Sequence, residues 1–264
     1  MFKLPKLSFH PKLAAAVDLI FGLACFWSLG IVWVWWALLI WFVVRLLFWA
    51  LLVKLVYFPV RVERLHHWLA LALFNFGMIL FLIFMEWRPA FLLAEVLFVI
   101  CPAISFWMLP TKDLDLSFWY KPYRRWIFLL ATMGLAGVSS GLIAIYEFQL
   151  NSFSKWWLII FGSIFSTAVA YWWWLEYGME KNRRLWTWVV AWLLLMIEFF
   201  WMIFILPLGY LSSGILIIWL WYIGWLLVRY HLTSEGIVWK KHFLFLGINF
   251  FALLFFLIFF VRWQ

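Results

Sequence analysis

Apolar runs of about twenty residues follow one another along this chain, separated by connections too short to build a core of their own. A helix of about twenty apolar residues crosses a hydrocarbon core of roughly 30 Å. Where no water is present to satisfy the backbone, such runs must be helices or strands of a closed barrel. Runs of this length, twice what a barrel strand needs, select helices. Composition agrees: 69% of the 264 residues are hydrophobic, 25% are aromatic and only 12% are charged, too little polar surface for a soluble globule. The expected fold is all-α, a polytopic transmembrane helical bundle of about nine spans with short loops.

The punctuation places most spans. After Pro59 they are expected over Leu65 to Met85, Ala90 to Leu109, Trp126 to Tyr146, Trp156 to Tyr177, Trp186 to Leu206, Gly209 to Val228 and Phe243 to Val261. Pro207 ends the helix before the sixth of these. Residues 65–261 thus give about seven spans. Residues 13–58 are too long for one helix and contain little loop. They read as two spans tightly joined near Val34 to Ala37, or as a re-entrant or interfacial hairpin whose second half carries Arg45 and Lys54. Residues 1–12 form a basic tail. The apolar character beyond it continues past Trp27 with no A-x-A cleavage site, so the first span is expected to be retained. The GLAC segment ending at Cys25 departs from a lipoprotein cleavage box at Gly22. One membrane domain, 1–264, is expected.

Charge then orients the spans. The tail and alternate connections hold Lys3, Lys6, Lys12, Arg61, Arg64, Lys112, Lys121, Arg124, Arg125, Lys181, Arg183, Arg184, Arg229, Lys240 and Lys241, which is 15 of the 20 basic residues. Arg88, Lys155 and Arg262 fall on the other side. By the positive-inside rule the N-terminus is cytoplasmic and the C-terminus outside, in the cell membrane. The same rule accounts for the net charge of +9 without nucleic acid. Membrane lipids are the expected partners, with anionic headgroups at the cytoplasmic face. Trp68, Trp126, Trp186 and Trp239 follow basic clusters and are expected to anchor there, indole N–H in the headgroup layer.

Candidate chemistry rests on the few polar groups inside the runs. Glu198 lies near the middle of Trp186 to Leu206, where a carboxyl is costly against lipid and is expected to point into the bundle. Arg45, at similar depth, is its expected partner, and the two form a candidate polar centre for transport or a structural pair. Asp18 is expected to pair with Lys54, and Glu95 with Arg88 across the Trp87 to Ala90 turn. Asn75 and Asn249 are expected to bond neighbouring helices. Gly134, Gly137 and Gly141 share one helical face that admits a close backbone, with Gly162, Ser163, Ser166 and Thr167 as the matching surface.

The run Gly137 to Gly141 resembles the Gly-x-Ser setting of rhomboid-like intramembrane serine proteases. That chemistry needs a histidine at membrane depth, whereas His10, His66, His67, His231 and His242 all lie at or near the basic ends of spans. No catalytic residue can be named from the sequence, and no metal or cofactor motif is present: the two adjacent histidines diverge on a helix, and Cys25 and Cys101 sit alone within apolar runs. Three functions stay open. Permeation of a small solute or ion calls for a wet cavity reaching Glu198; a scaffold or assembly subunit calls for a closed bundle. A lipid-modifying enzyme calls for a lateral groove lined by groups such as Asp113, Asp115, His66 or His231.

Overall fold

In a membrane, local hydrogen bonding leaves the chain little choice but helix, and the computed structural model is helical throughout. It describes residues 9–31, 35–56, 62–109, 121–148, 154–233, 236–237 and 239–260. Nine helices and no strand occur among them: α1 Pro11–Ile31, α2 Trp35–Val56, α3 Val62–Phe84, α4 Arg88–Trp107, α5 Lys121–Glu147, α6 Lys155–Glu176, α7 Arg183–Ile205, α8 Tyr210–Leu232 and α9 Trp239–Phe260. The seven from α3 to α9 are long and apolar enough to cross a membrane. α1 and α2 have 21 and 22 residues; of the turn expected near Val34 to Ala37, Val34 lies outside the described residues and Trp35, Trp36 and Ala37 instead open α2.

Helix ends follow local chemistry. α7 stops at Ile205, two residues before Pro207. The Asn182 side chain accepts the amide of Leu185 at 2.9 Å and caps the start of the same helix. Between α6 and α7 the chain turns on Gly178 at φ +82°. The amide of Met179 reaches back to the Trp174 carbonyl at 3.1 Å and that of Gly178 to Leu175 at 2.9 Å. This paired closure needs a residue in the left-handed region, which glycine adopts without strain. α5 starts five residues before its expected boundary, because Pro122 in a first helical turn lacks only an amide that would have no partner there.

The chain divides into two compact units, residues 1–138 and 139–264. In the first, α1 packs against α4 and α2, and α3 packs against α2 and α4. Gly77 of α3 lies against Gly134 and Gly137 of α5, so close that a Cβ on any of the three would overlap a backbone carbonyl opposite. Two of the three predicted packing glycines therefore meet α3; Gly141 is buried. The matching surface expected on α6 is engaged otherwise within the second unit. There Gly162 faces the Phe200 ring of α7, with 2.7 Å left for a Cβ, and the Ser166 carbonyl accepts the Trp221 indole N–H at 3.0 Å. α7 packs on α6 and α8. The Trp219 indole joins α8 to α9 by donating to Asn249 Oδ1 at 2.7 Å.

Candidate functional site

The densest polar site in the first unit is organised by a proline. Pro102 lies inside α4, and its ring nitrogen has no hydrogen to donate to the carbonyl four residues earlier. That carbonyl belongs to Phe98, and Arg45 of α2 takes it instead, Nη2 donating at 3.0 Å. The guanidinium also lies over two rings, 4.3 Å from the centroid of Phe98 and 4.7 Å from that of Trp49, where the ring faces attract a cation. Trp49 donates its indole N–H to Asp18 Oδ1 of α1 at 2.7 Å, a charge-assisted bond. Gly22, one turn along α1, leaves room for the guanidinium: a Cβ there would come within 3.2 Å of Arg45 Nη2.

Asp18 and Trp49 are fully buried and Arg45 is 1% exposed, with Trp49 in contact with both charged groups. Trp49, rather than Lys54, is thus the group that holds Asp18. Arg45 is engaged inside its own unit by the Phe98 carbonyl and by the rings of Trp49 and Phe98. Lys54, expected to hold Asp18, has an exposed side chain. The site is not saturated, since Asp18 Oδ2 and Arg45 Nε and Nη1 have no hydrogen-bond partner among the described residues. Buried opposite charges lose much of their hydration, and what holds them is mutual attraction plus directed hydrogen bonds. The arrangement can tie α1, α2 and α4 together.

Glu198 departs from its expected orientation. The buried residues of α7 are Leu185, Trp192, Met196, Phe200 and Ile203, which form the face turned to α6 and α8. Glu198 falls two residues from Met196 and from Phe200, about 200° around the helix, and its side chain is exposed. The physical reason is that apolar residues occur all round α7, so packing of the bulky residues alone selects the inward face, and the carboxyl is left outside.

Glu95 is half-buried and interacts electrostatically with Arg88. Asn75 is buried, its Nδ2 3.5 Å from the Phe42 carbonyl of α2. Asn249 accepts the Trp219 indole N–H of the neighbouring α8 and donates to Phe245 O of its own helix at 2.8 Å.

A further buried contact carries no signal in the sequence. His67 of α3 is fully buried, with Nε2 2.8 Å from Ser105 Oγ of α4. The hydroxyl donates its one hydrogen to the Pro102 carbonyl, so His67 donates to the serine. A nucleophilic serine needs the opposite direction, with the imidazole accepting. This pair is therefore a structural hydrogen bond.

His231 rests edge-on to Trp188, with ring centroids 5.0 Å apart, while its carbonyl accepts Arg184 Nη2 at 2.9 Å. Asp113 and Asp115 lie outside the described residues. Among the described residues no group of three His, Cys, Asp or Glu could hold a metal. An open cleft of about 200 Å³ between α6 and α7 is lined by Ile164, Thr167, Ala168, Tyr171, Val189 and Leu193 and presents apolar surface. Trp68 and Trp126, expected as headgroup anchors, donate instead to the carbonyls of Leu46 and Cys101, each at 3.2 Å, whereas Trp186 and Trp239 are exposed.

Compared with known proteins, the chain matches no protein-family model, no curated protein and no solved structure.

Proposed function

We propose that this multi-pass membrane protein is a scaffold or assembly subunit rather than a pathway for solutes. The observation that carries the reading is the division of labour among its intramembrane charges. Arg45 and Asp18 are buried, Arg45 held by the Phe98 carbonyl and over the Trp49 ring and Asp18 by the Trp49 indole, as the parts of a structural tie would be. Glu198 stands on the outer face of α7, where it is available to a neighbour. The apolar lining of the cleft between α6 and α7 suits acyl chains better than a hydrated solute.

The fifteen-to-three distribution of basic residues supports an orientation with the N-terminus in the cytoplasm, with α1 and α2 both crossing the cell membrane. Exposed Arg183, Arg184 and Lys240 would then sit among anionic headgroups.

Flux into vesicles tests the reading. With the protein reconstituted into liposomes, proton, sodium, potassium and chloride fluxes are expected to equal those of protein-free vesicles. Flux above that leak in the wild type, lost in Glu198→Gln, would overturn the assembly reading in favour of permeation.

A further inference from the structure

We infer that the outer face of α7 is an intramembrane docking seam for a transmembrane helix of another protein that carries a lysine or arginine at mid-depth. The inference rests on the assembly reading and gives it a partner chemistry.

The first support is a register. Thr187, Ala191, Leu194, Glu198, Trp201 and Ile205 follow one another at spacings of four, three, four, three and four, and every one of them is exposed. A 4-3 alternation is the period at which one helix presents a continuous edge to a second helix crossing it at a shallow angle. The buried residues of α7 lie on the opposite side, so the seam is additional to the packing that holds α7 in its unit.

The second support is charge. Glu198 is the one ionisable group on that seam and sits about 18 Å along the helix from Trp186, well inside the hydrocarbon. No hydrogen bond or ion pair from a described residue reaches it. A polar residue at a single seam position selects partner and register, because a partner without a complementary group leaves it unsatisfied.

Within the second unit no lysine or arginine lies at mid-span. Arg45 is buried and engaged, and Lys54 lies in the last turn of α2, away from mid-depth. A second copy docked through the same seam would present another Glu198 at the same depth, an acid opposite an acid. The complement that fits is a basic group on a different helix.

The test uses the full-length protein, donor-labelled in lipid vesicles, and acceptor-labelled 23-residue transmembrane peptides of a leucine-rich sequence with lysine, leucine or glutamate at the centre. Energy transfer is expected to give at least tenfold tighter association with the lysine peptide than with the leucine peptide. The lysine preference is expected to vanish in Glu198→Gln. Ala191→Trp, which keeps the carboxyl but blocks the seam, is expected to weaken lysine-peptide binding. Circular dichroism of each variant establishes that its helices are retained.

Equal binding of the lysine and leucine peptides to the wild type would overturn the inference, as would a lysine preference that survives Glu198→Gln. Self-association of the wild type that exceeds peptide binding and is lost in Glu198→Gln would also overturn it, assigning the seam to a second copy. These outcomes bear on the seam alone. The assembly reading falls on the separate finding of Glu198-dependent flux.

Discussion

At the scale of single residues, Pro102 and Arg45 answer one another. The proline withdraws the donor that would have satisfied the Phe98 carbonyl, and the arginine supplies one from a different helix, with Trp49 steering Asp18 into the same cluster. Arg45→Leu should destabilise the protein by about 3–5 kcal/mol, because it strands a buried carboxylate and a carbonyl together. In Asp18→Asn the same change should cost less, with a coupling of about 1–3 kcal/mol in a double-mutant cycle read by unfolding in mixed micelles. Additive losses would mean that the two charges act independently. Pro102→Ala supplies an amide to the Phe98 carbonyl, so in that background the loss on Arg45→Leu should shrink by about 1–2 kcal/mol. An undiminished loss would show that Arg45 does not serve that carbonyl.

Between elements, the scarcity of polar side chains shifts cross-helix hydrogen bonding onto tryptophan. Indole N–H groups join α8 to α6 at Trp221 and α6 to α8 at Trp174, both through backbone carbonyls. Such bonds matter in lipid because association there has no hydrophobic drive between helices and relies on close packing and hydrogen bonds.

Close packing makes glycine substitutions depend on their surroundings. Gly77→Ala places a methyl against the Gly134 backbone and should cost about 1–3 kcal/mol. Gly247→Ala, mid-helix in α9 with nothing within 4 Å of the new Cβ, should be neutral or stabilise by up to about 1 kcal/mol. Thermal unfolding of the two variants checks the contrast, and equal shifts would argue against the α3–α5 contact.

Element positions were legible in the sequence, since Pro207 and the basic connections interrupt the apolar runs where helices must stop. The directions of those helices were not. Lipid is as apolar as the bundle interior, so α7 bears Leu, Ile and Phe on every side and hydropathy could not say that Glu198 faces out. Likewise Gly134 and Gly137 signalled a close approach, but a lone Gly77 in α3 carried no mark that it was the counterpart. Pro102 frees the Phe98 carbonyl only once α4 is known to run through it, and nothing local names Arg45 as the donor.

For the whole molecule, the first unit buries Asp18 and Arg45 and the second leaves Glu198 exposed. Asp18 and Arg45 belong to the first unit, and Glu198 belongs to the second, on the helix edge with a continuous 4-3 register. An assembly subunit built this way should travel with its partner when extracted together with its lipid. The direct measurement is the native mass of the wild type and of Glu198→Gln in polymer-bounded membrane discs taken from the membrane in which the protein is made. The account predicts a discrete complex of this chain with a different protein in the wild type, reduced to the chain and its lipids in Glu198→Gln. A wild type that carries lipid alone, at the same mass as the variant, would contradict it.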